Sequence, residues 1–173
     1  MGKEDRKYLR IDTRLRAHAR RVESSDSRPL FRSSFSSGSS SQKSSLLPEG
    51  VAEILNEMNQ KLDILISATH RDLLINDFPI TLDVVEISGA GMIFIPEEET
   101  LQPGDFLETV ILLSQIPLRM AGTVGTVKRR MEKNGKDQFA FEFNQIRDHD
   151  REAVVQFVFQ EQRELIRERK NEG

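Results

Sequence analysis

Two clusters in this chain have residue types and spacing suited to holding a ligand. Arg6 and Arg10 stand four apart in Arg6-Lys7-Tyr8-Leu9-Arg10, and a polar, glycine-bearing turn comes much later as Glu86-Ile87-Ser88-Gly89-Ala90-Gly91. An arginine guanidinium is a planar fork of donors that grips phosphate oxygens two at a time, and its flat face stacks on a purine. The Glu86 carboxylate can accept from the N1 and N2 protons of a guanine, and the Ser88 hydroxyl adds a short, adaptable contact. Glycine lets backbone N–H groups approach closely. Arginines on an arm and polar groups on a turn would close on a phosphorylated guanine nucleotide from two sides. The plainer reading makes the arginines solvated, Glu86 an exposed strand-end charge, and Ser88 and Gly91 builders of a tight turn. The ligand reading is preferred because two matching halves stand on either side of a long insertion.

Other candidate chemistry is poorly supported. His18, His70 and His149 lie in separate parts of the chain, with no metal-ligand spacing around any of them. Ser88 lacks the glycine two residues before it that a nucleophile elbow requires. Gly89-Ala90-Gly91 has no third glycine and leads into a strand, so it is not a dinucleotide fingerprint. Gly135-Lys136 lacks both the upstream glycine and the following Ser/Thr of a phosphate loop. Glu97, Glu98 and Glu99 form a solvated acidic loop. The chain is therefore expected not to be an enzyme, with no metal and no cofactor.

Composition sets the surroundings. The 173 residues carry a net charge of −3 with a pI near 5.7, which argues against nucleic acid as a partner. There is no cysteine, so a reducing compartment is expected. The polar start lacks a signal-peptide core, and no apolar run approaches the roughly 20 residues of a membrane span. A cytoplasmic protein is the expectation. Charge is unevenly spread: eight basic residues stand against three acidic ones through Val22, a basic arm on an acidic chain.

Four zones would position these groups. Residues 1–22 are the basic arm and a first strand, in which Ile11, Thr13, Leu15, Ala17 and Ala19 alternate with polar neighbours. Residues 23–47 hold twelve serines among the twenty-two from Ser24 to Ser45 and are expected to be a flexible linker. Residues 48–76 should be a helix. Leu55, Leu62 and Thr69 fall on heptad position a and Val51, Met58 and Leu65 on d, with Ile54 and Ile66 widening the stripe. This helix is expected to self-associate as a dimer or tetramer through Val51, Leu55, Met58, Leu62 and Leu65. Residues 77–170 should form five strands and a closing helix. The strands run over Ile80–Ile87, Gly91–Ile95, Phe106–Leu113, Leu118–Arg129 and Gln138–Phe143, with Asn134-Gly135 as a hairpin turn. Asp148 or Asp150 would begin a helix whose apolar stripe is Val154, Val155, Val158, Phe159, Leu165 and Ile166. The fold class is mainly β with helices: a six-stranded antiparallel barrel, an inserted amphipathic coiled-coil helix, and a C-terminal helix.

These features together resemble the PilZ family, the cyclic-di-GMP receptor module of bacteria. The family marks are an Arg-x-x-x-Arg arm before the first strand and an Asp/Asn-x-Ser-x-x-Gly turn. Arg6 and Arg10 match the first; Ser88 and Gly91 match the second, with Glu86 at its acidic position. Pro103-Gly104-Asp105, Gly122 and Val124 ahead of Lys128-Arg129, Phe141-Glu142-Phe143, and Gln160 to Arg163 in the last helix fit the rest of the domain. Asn59-Gln60-Lys61-Leu62-Asp63 resembles an atypical branch, in which a heptad helix inserted after the first strand assembles tetramers. Glu86 is one methylene longer than the usual residue, which moves the carboxylate about 1.5 Å. A rotamer cost of ~0.5–1.5 kcal/mol would weaken binding roughly tenfold at most.

The resemblance implies a receptor that binds cyclic-di-GMP through Arg6, Arg10, Glu86, Ser88 and Gly91. It also implies coupling to an unidentified protein partner in motility or biofilm signalling. The alternative is an oligomeric adaptor that acts through protein contacts without nucleotide. A nucleic-acid-binding barrel is disfavoured, because no aromatic stacking platform accompanies the arginines.

Overall fold

Period-two alternation of apolar and polar side chains builds a sheet of six strands that closes on itself. The computed structural model describes residues 7–32, 47–98, 100–115 and 117–171, with Arg71 described by its backbone alone. The strands are β1 (Arg10–Val22), β2 (Ile80–Ser88), β3 (Gly91–Pro96), β4 (Phe106–Gln115), β5 (Leu118–Lys133) and β6 (Lys136–Ile146). They are antiparallel in the ring order β1-β2-β3-β6-β5-β4, and β4 pairs back onto β1. No sheet edge is left open, which removes the unpaired backbone groups of an edge strand. Asn134 and Gly135 both take positive φ, 54° and 71°, and make the tight β5–β6 turn that their types predict.

The barrel interior is filled by Leu82, Val84, Ile87, Phe94, Leu107, Ile111 and Val127, with Phe139, Phe141 and Phe143 along β6. Phe94 stacks against Phe139 at 6.1 Å and meets Phe141 edge-on at 5.9 Å. One barrel end is closed by helix α2 (Asp148–Asn171), whose Val154 and Val158 join this core. Asp148 and Asp150 stand in its first turn, where the helix dipole favours carboxylates. The expected stripe is only half used: Phe159, Leu165 and Ile166 are exposed, because α2 runs past the barrel after Val158.

The outer wall is covered in two places. Helix α1 (Glu49–Asp77) packs through its last turns, with Leu74 and Phe78 against Val110 on the outward side of β4. Ser67 also donates to the Gln115 carbonyl at 2.5 Å. The second cover comes from the serine-rich segment, where a free linker is expected. Its residues up to Phe31 lie along the barrel. Gln145 Nε2 donates to the Ser25 carbonyl, and the Phe31 ring rests where a side chain on Gly122 would sit. The Phe31 N–H donates to Glu108 at 2.8 Å. Glu108 is 1% exposed, and Arg20 also holds it, through Nε at 2.7 Å and Nη2 at 2.6 Å. A carboxylate this buried is tolerable because a cation and a backbone donor satisfy it together.

Candidate functional site

A register change places the turn's polar residues outside the barrel. Ile80, Leu82 and Val84 point inward on β2, and simple alternation would send Glu86 inward after them. A bulge between Val84 and Glu86 shifts the phase, so Ile87 enters the core and Glu86 faces out. A second irregularity, between Asp12 and Leu15, adjusts β1 to match. The adjusted register sets Arg10 opposite Ser88 and Asp12 opposite Glu86. Arg10 Nη1 then lies 3.4 Å from Glu86 Oε1, in an exposed pair.

Four of the five ligand residues expected from sequence, Arg10, Glu86, Ser88 and Gly91, are thus brought together. Arg6 lies outside the described residues. Ser88 is 5% exposed and is engaged by its own turn: its hydroxyl accepts from the Ala90 N–H at 3.2 Å and donates to the Gly91 carbonyl at 3.3 Å. Gly91 is required by the neighbouring strand, since a Cβ there would collide with the Phe141 carbonyl on β6. The outward surface of this site is therefore made by Arg10 and Glu86, and Ser88 and Gly91 shape the turn beneath them.

Tyr8 and Arg151 also belong to this place, and local spacing does not reveal them. The Tyr8 ring lies on Gly89, where a Cβ would stand 2.6 Å from it. Arg151, in the first turn of α2, donates from Nη1 to the Tyr8 hydroxyl at 3.1 Å, with its guanidinium 5.6 Å from the ring centre. Lys7 stands at 5.6 Å from the same ring. The Arg151 hydrogen bond is the largest influence on the Tyr8 phenol and, with the Arg151 and Lys7 charges behind it, holds the phenol below its ordinary pKa although desolvation, second in size, pushes the other way. The one sequence signal for Tyr8 is an aromatic between the two arginines of the arm. Arg151 has none, being 143 residues away from its partner.

Lys128 lies near the site through Glu142, 3.4 Å away, which faces Gly91 across the β3–β6 pairing. Arg130 instead pairs with Asp137 beside the hairpin turn, at 2.5 Å. Among the described residues no three His, Cys, Asp or Glu side chains gather as metal ligands, and no helix is long and apolar enough to cross a membrane. The helix positions expected to self-associate are all exposed on α1: Val51, Leu55, Met58, Leu62 and Leu65, with Leu65 at 63%.

A closed six-stranded ring with a helix across one end, and an arginine of an N-terminal arm meeting a Ser-x-x-Gly turn, defines a PilZ-type barrel. The PilZ domain model matches residues 64–160, more than half of the sequence, and the chain belongs to the PilZ family. The match begins inside α1, so the arm and β1 fall outside it. No curated protein matches the sequence. Among solved structures, a tetrameric PilZ domain protein from Xanthomonas campestris, self-assembled through a helical bundle, aligns at TM-score 0.58 and 16% identity. That alignment covers 93% of this chain and 92% of that one. The inhibitor of motility from Bacillus subtilis aligns at TM-score 0.53 and 16% identity over 92% of this chain. The chain spans about half of that protein, 51% of its length. The PilZ domain of Escherichia coli YcgR, solved with cyclic-di-GMP, aligns at TM-score 0.48 and 11% identity, covering 98% of this chain and all of that one.

Proposed function

We propose that this protein is a cyclic-di-GMP receptor without enzymatic activity, which turns nucleotide binding into a change at a protein–protein surface. Membership of the PilZ family supports the receptor class. The observation that carries the reading for this chain is the pairing of Arg10 opposite Ser88, with Glu86 beside it on the outward face. Arg10 would grip a phosphate and stack on a guanine, Glu86 would accept from the guanine edge, and Arg6 would supply a second cation. Ser88 and Gly91 would present the turn's backbone to the ligand. Binding has to compete with the Arg10–Glu86 pair. That pair is exposed and contributes only about 0–1 kcal/mol, so a charged nucleotide can displace it. The output, a motility or biofilm response through a protein partner, follows from the receptor class. Isothermal titration of the full chain with cyclic-di-GMP tests this reading. Heat that saturates for wild type and is lost in Arg10→Ala is expected; wild type without heat would refute it.

A second reading has its own support. Arg10, Glu86 and Ser88 already have partners within the chain, and the exposed stripe on α1 is long. A PilZ-like adaptor would then act through α1-mediated assembly and protein contacts alone. Self-association as a dimer or tetramer through Val51, Leu55, Met58, Leu62 and Leu65 belongs to both readings. The helical-bundle assembly of the Xanthomonas relative offers a pattern for it.

A further inference from the structure

Arg151 stands out among the charged side chains of the fold. Its Nε is buried without a hydrogen-bond partner, and no carboxylate pairs with the guanidinium among the described residues. Among the described residues the guanidinium's one hydrogen bond goes to a neutral phenol, Tyr8. A buried, unsatisfied donor costs about 1–3 kcal/mol, more on a charged group, and an incoming anion would relieve this. The location is equally informative. Tyr8 lies in the arm two residues before Arg10, where β1 begins, and it covers Gly89 in the turn that Arg10 faces through Ser88. A nucleotide settling between Arg10 and that turn meets the Tyr8 ring. Space lies beside the guanidinium, because Arg151 also borders an open pocket of about 420 Å³ lined by Phe31, Asn144 and Arg147. Glu108 and Asp150 border this pocket too, but Glu108 is engaged by Arg20 and the Phe31 N–H.

We propose that Arg151 is an anion subsite of the nucleotide site and that Tyr8 is the plug that covers it in the free protein. When ligand binds, a phosphate oxygen takes the place of the Tyr8 hydroxyl on Arg151, and the ring leaves its seat on Gly89. This rests on the receptor reading above. The exchange is favoured because the guanidinium–phenol hydrogen bond carries charge on one side only, whereas a guanidinium–phosphate pair carries it on both and can form two parallel bonds. No proton or covalent bond changes hands. The exchange also reaches α2, since the hydroxyl that Arg151 gives up is the link between the arm and the first turn of that helix. Ligand binding at the arm would thereby be felt at the helix that closes the barrel.

The test combines two measurements on the full chain. In titrations with cyclic-di-GMP, Arg151→Gln should bind roughly tenfold more weakly than wild type, with Arg151→Lys recovering part of the loss. Tyr8→Ala and Tyr8→Phe should bind a few-fold more tightly, because the competing hydroxyl is gone. The second measurement needs no ligand. Tyr8 is the sole tyrosine and there is no tryptophan, so ultraviolet titration of the phenol reports one residue. Arg151→Gln should move that titration up towards the ordinary phenol range, with the thermal melt confirming a folded barrel.

Three outcomes would overturn the proposal. If Arg10→Ala loses binding while Arg151→Gln binds like wild type, the subsite fails and the receptor reading stands. If Arg151→Gln leaves the phenol titration unchanged, Arg151 does not hold Tyr8. If wild type does not bind, both readings fall.

Discussion

The two helices of this protein carry similar sequence signals and meet opposite fates. Helices α1 and α2 are 29 and 24 residues long, and each bears an apolar stripe at helical spacing. The first half of α2 drives Val154 and Val158 into the barrel core, whereas the first half of α1 leaves Val51, Ile54, Leu55, Met58 and Leu62 in solvent. The contrast reverses further along: α1 becomes buried at Leu74, just where the chain returns to the barrel, and α2 becomes exposed after Val158, where it leaves. Proximity to the barrel decides burial, and an amphipathic stripe only makes burial possible. The uncovered stretch of α1 is where a second copy of the chain would have most to gain, since removing apolar area from water is worth about 25 cal/mol per Å² before the entropic costs of association are subtracted.

Substitutions at matched places on the two helices can break this comparison. The largest effect is expected from Val158→Asp, which would bury an unpaired carboxylate in the core. A loss of about 4 kcal/mol or more, read as a collapse of the thermal transition, is the prediction, and a small shift would mean that α2 does not close the barrel. Gly91→Ala comes next, because its methyl meets the Phe141 carbonyl. Separating β3 from β6 there should cost ~1–3 kcal/mol in urea unfolding, with loss of ligand binding, since the same turn carries both. Paired Leu55→Asp and Leu62→Asp substitutions on α1 should leave the barrel's own stability within about 0.5 kcal/mol. Their effect should appear in sedimentation as a fall to monomer mass. An unchanged mass would remove the assembly role. Smallest of all, Glu57→Ala breaks an exposed i,i+4 pair with Lys61, 2.7 Å long, and should change stability by less than ~0.5 kcal/mol.

Much of the barrel was legible because strands announce themselves locally. Phe139, Phe141 and Phe143 alternate with polar residues, and Asn134-Gly135 can hardly be anything but a tight turn. The bulge that brings Glu86 outward also has a sequence mark, the doubled Val84-Val85 that interrupts the alternation running from Ile80. Glu108 was a missed signal. A carboxylate between Leu107 and Val110 in a buried strand needs a cation and a donor, and their sources, Arg20 and Phe31, lie 88 and 77 residues away. The docking of Phe31 was hidden in the same way, because a serine-rich composition describes the average segment and not the one aromatic ring that rests on Gly122.

The sequence by itself determined the strands, the two amphipathic helices, the basic arm and the polar turn, because each depends on residues within a few positions of one another. Pairing of β1 with β2 is what set Arg10 beside Glu86, and that pairing spans the whole inserted helix. Tertiary structure also decided that Ser88 and Gly91 serve the turn first. It gave Gly89 a partner in Tyr8 and gave Tyr8 a partner in Arg151. Those relations join groups up to 143 residues apart. They come into being only when the barrel closes and α2 seats across its end, and no local pattern in the chain encodes that event.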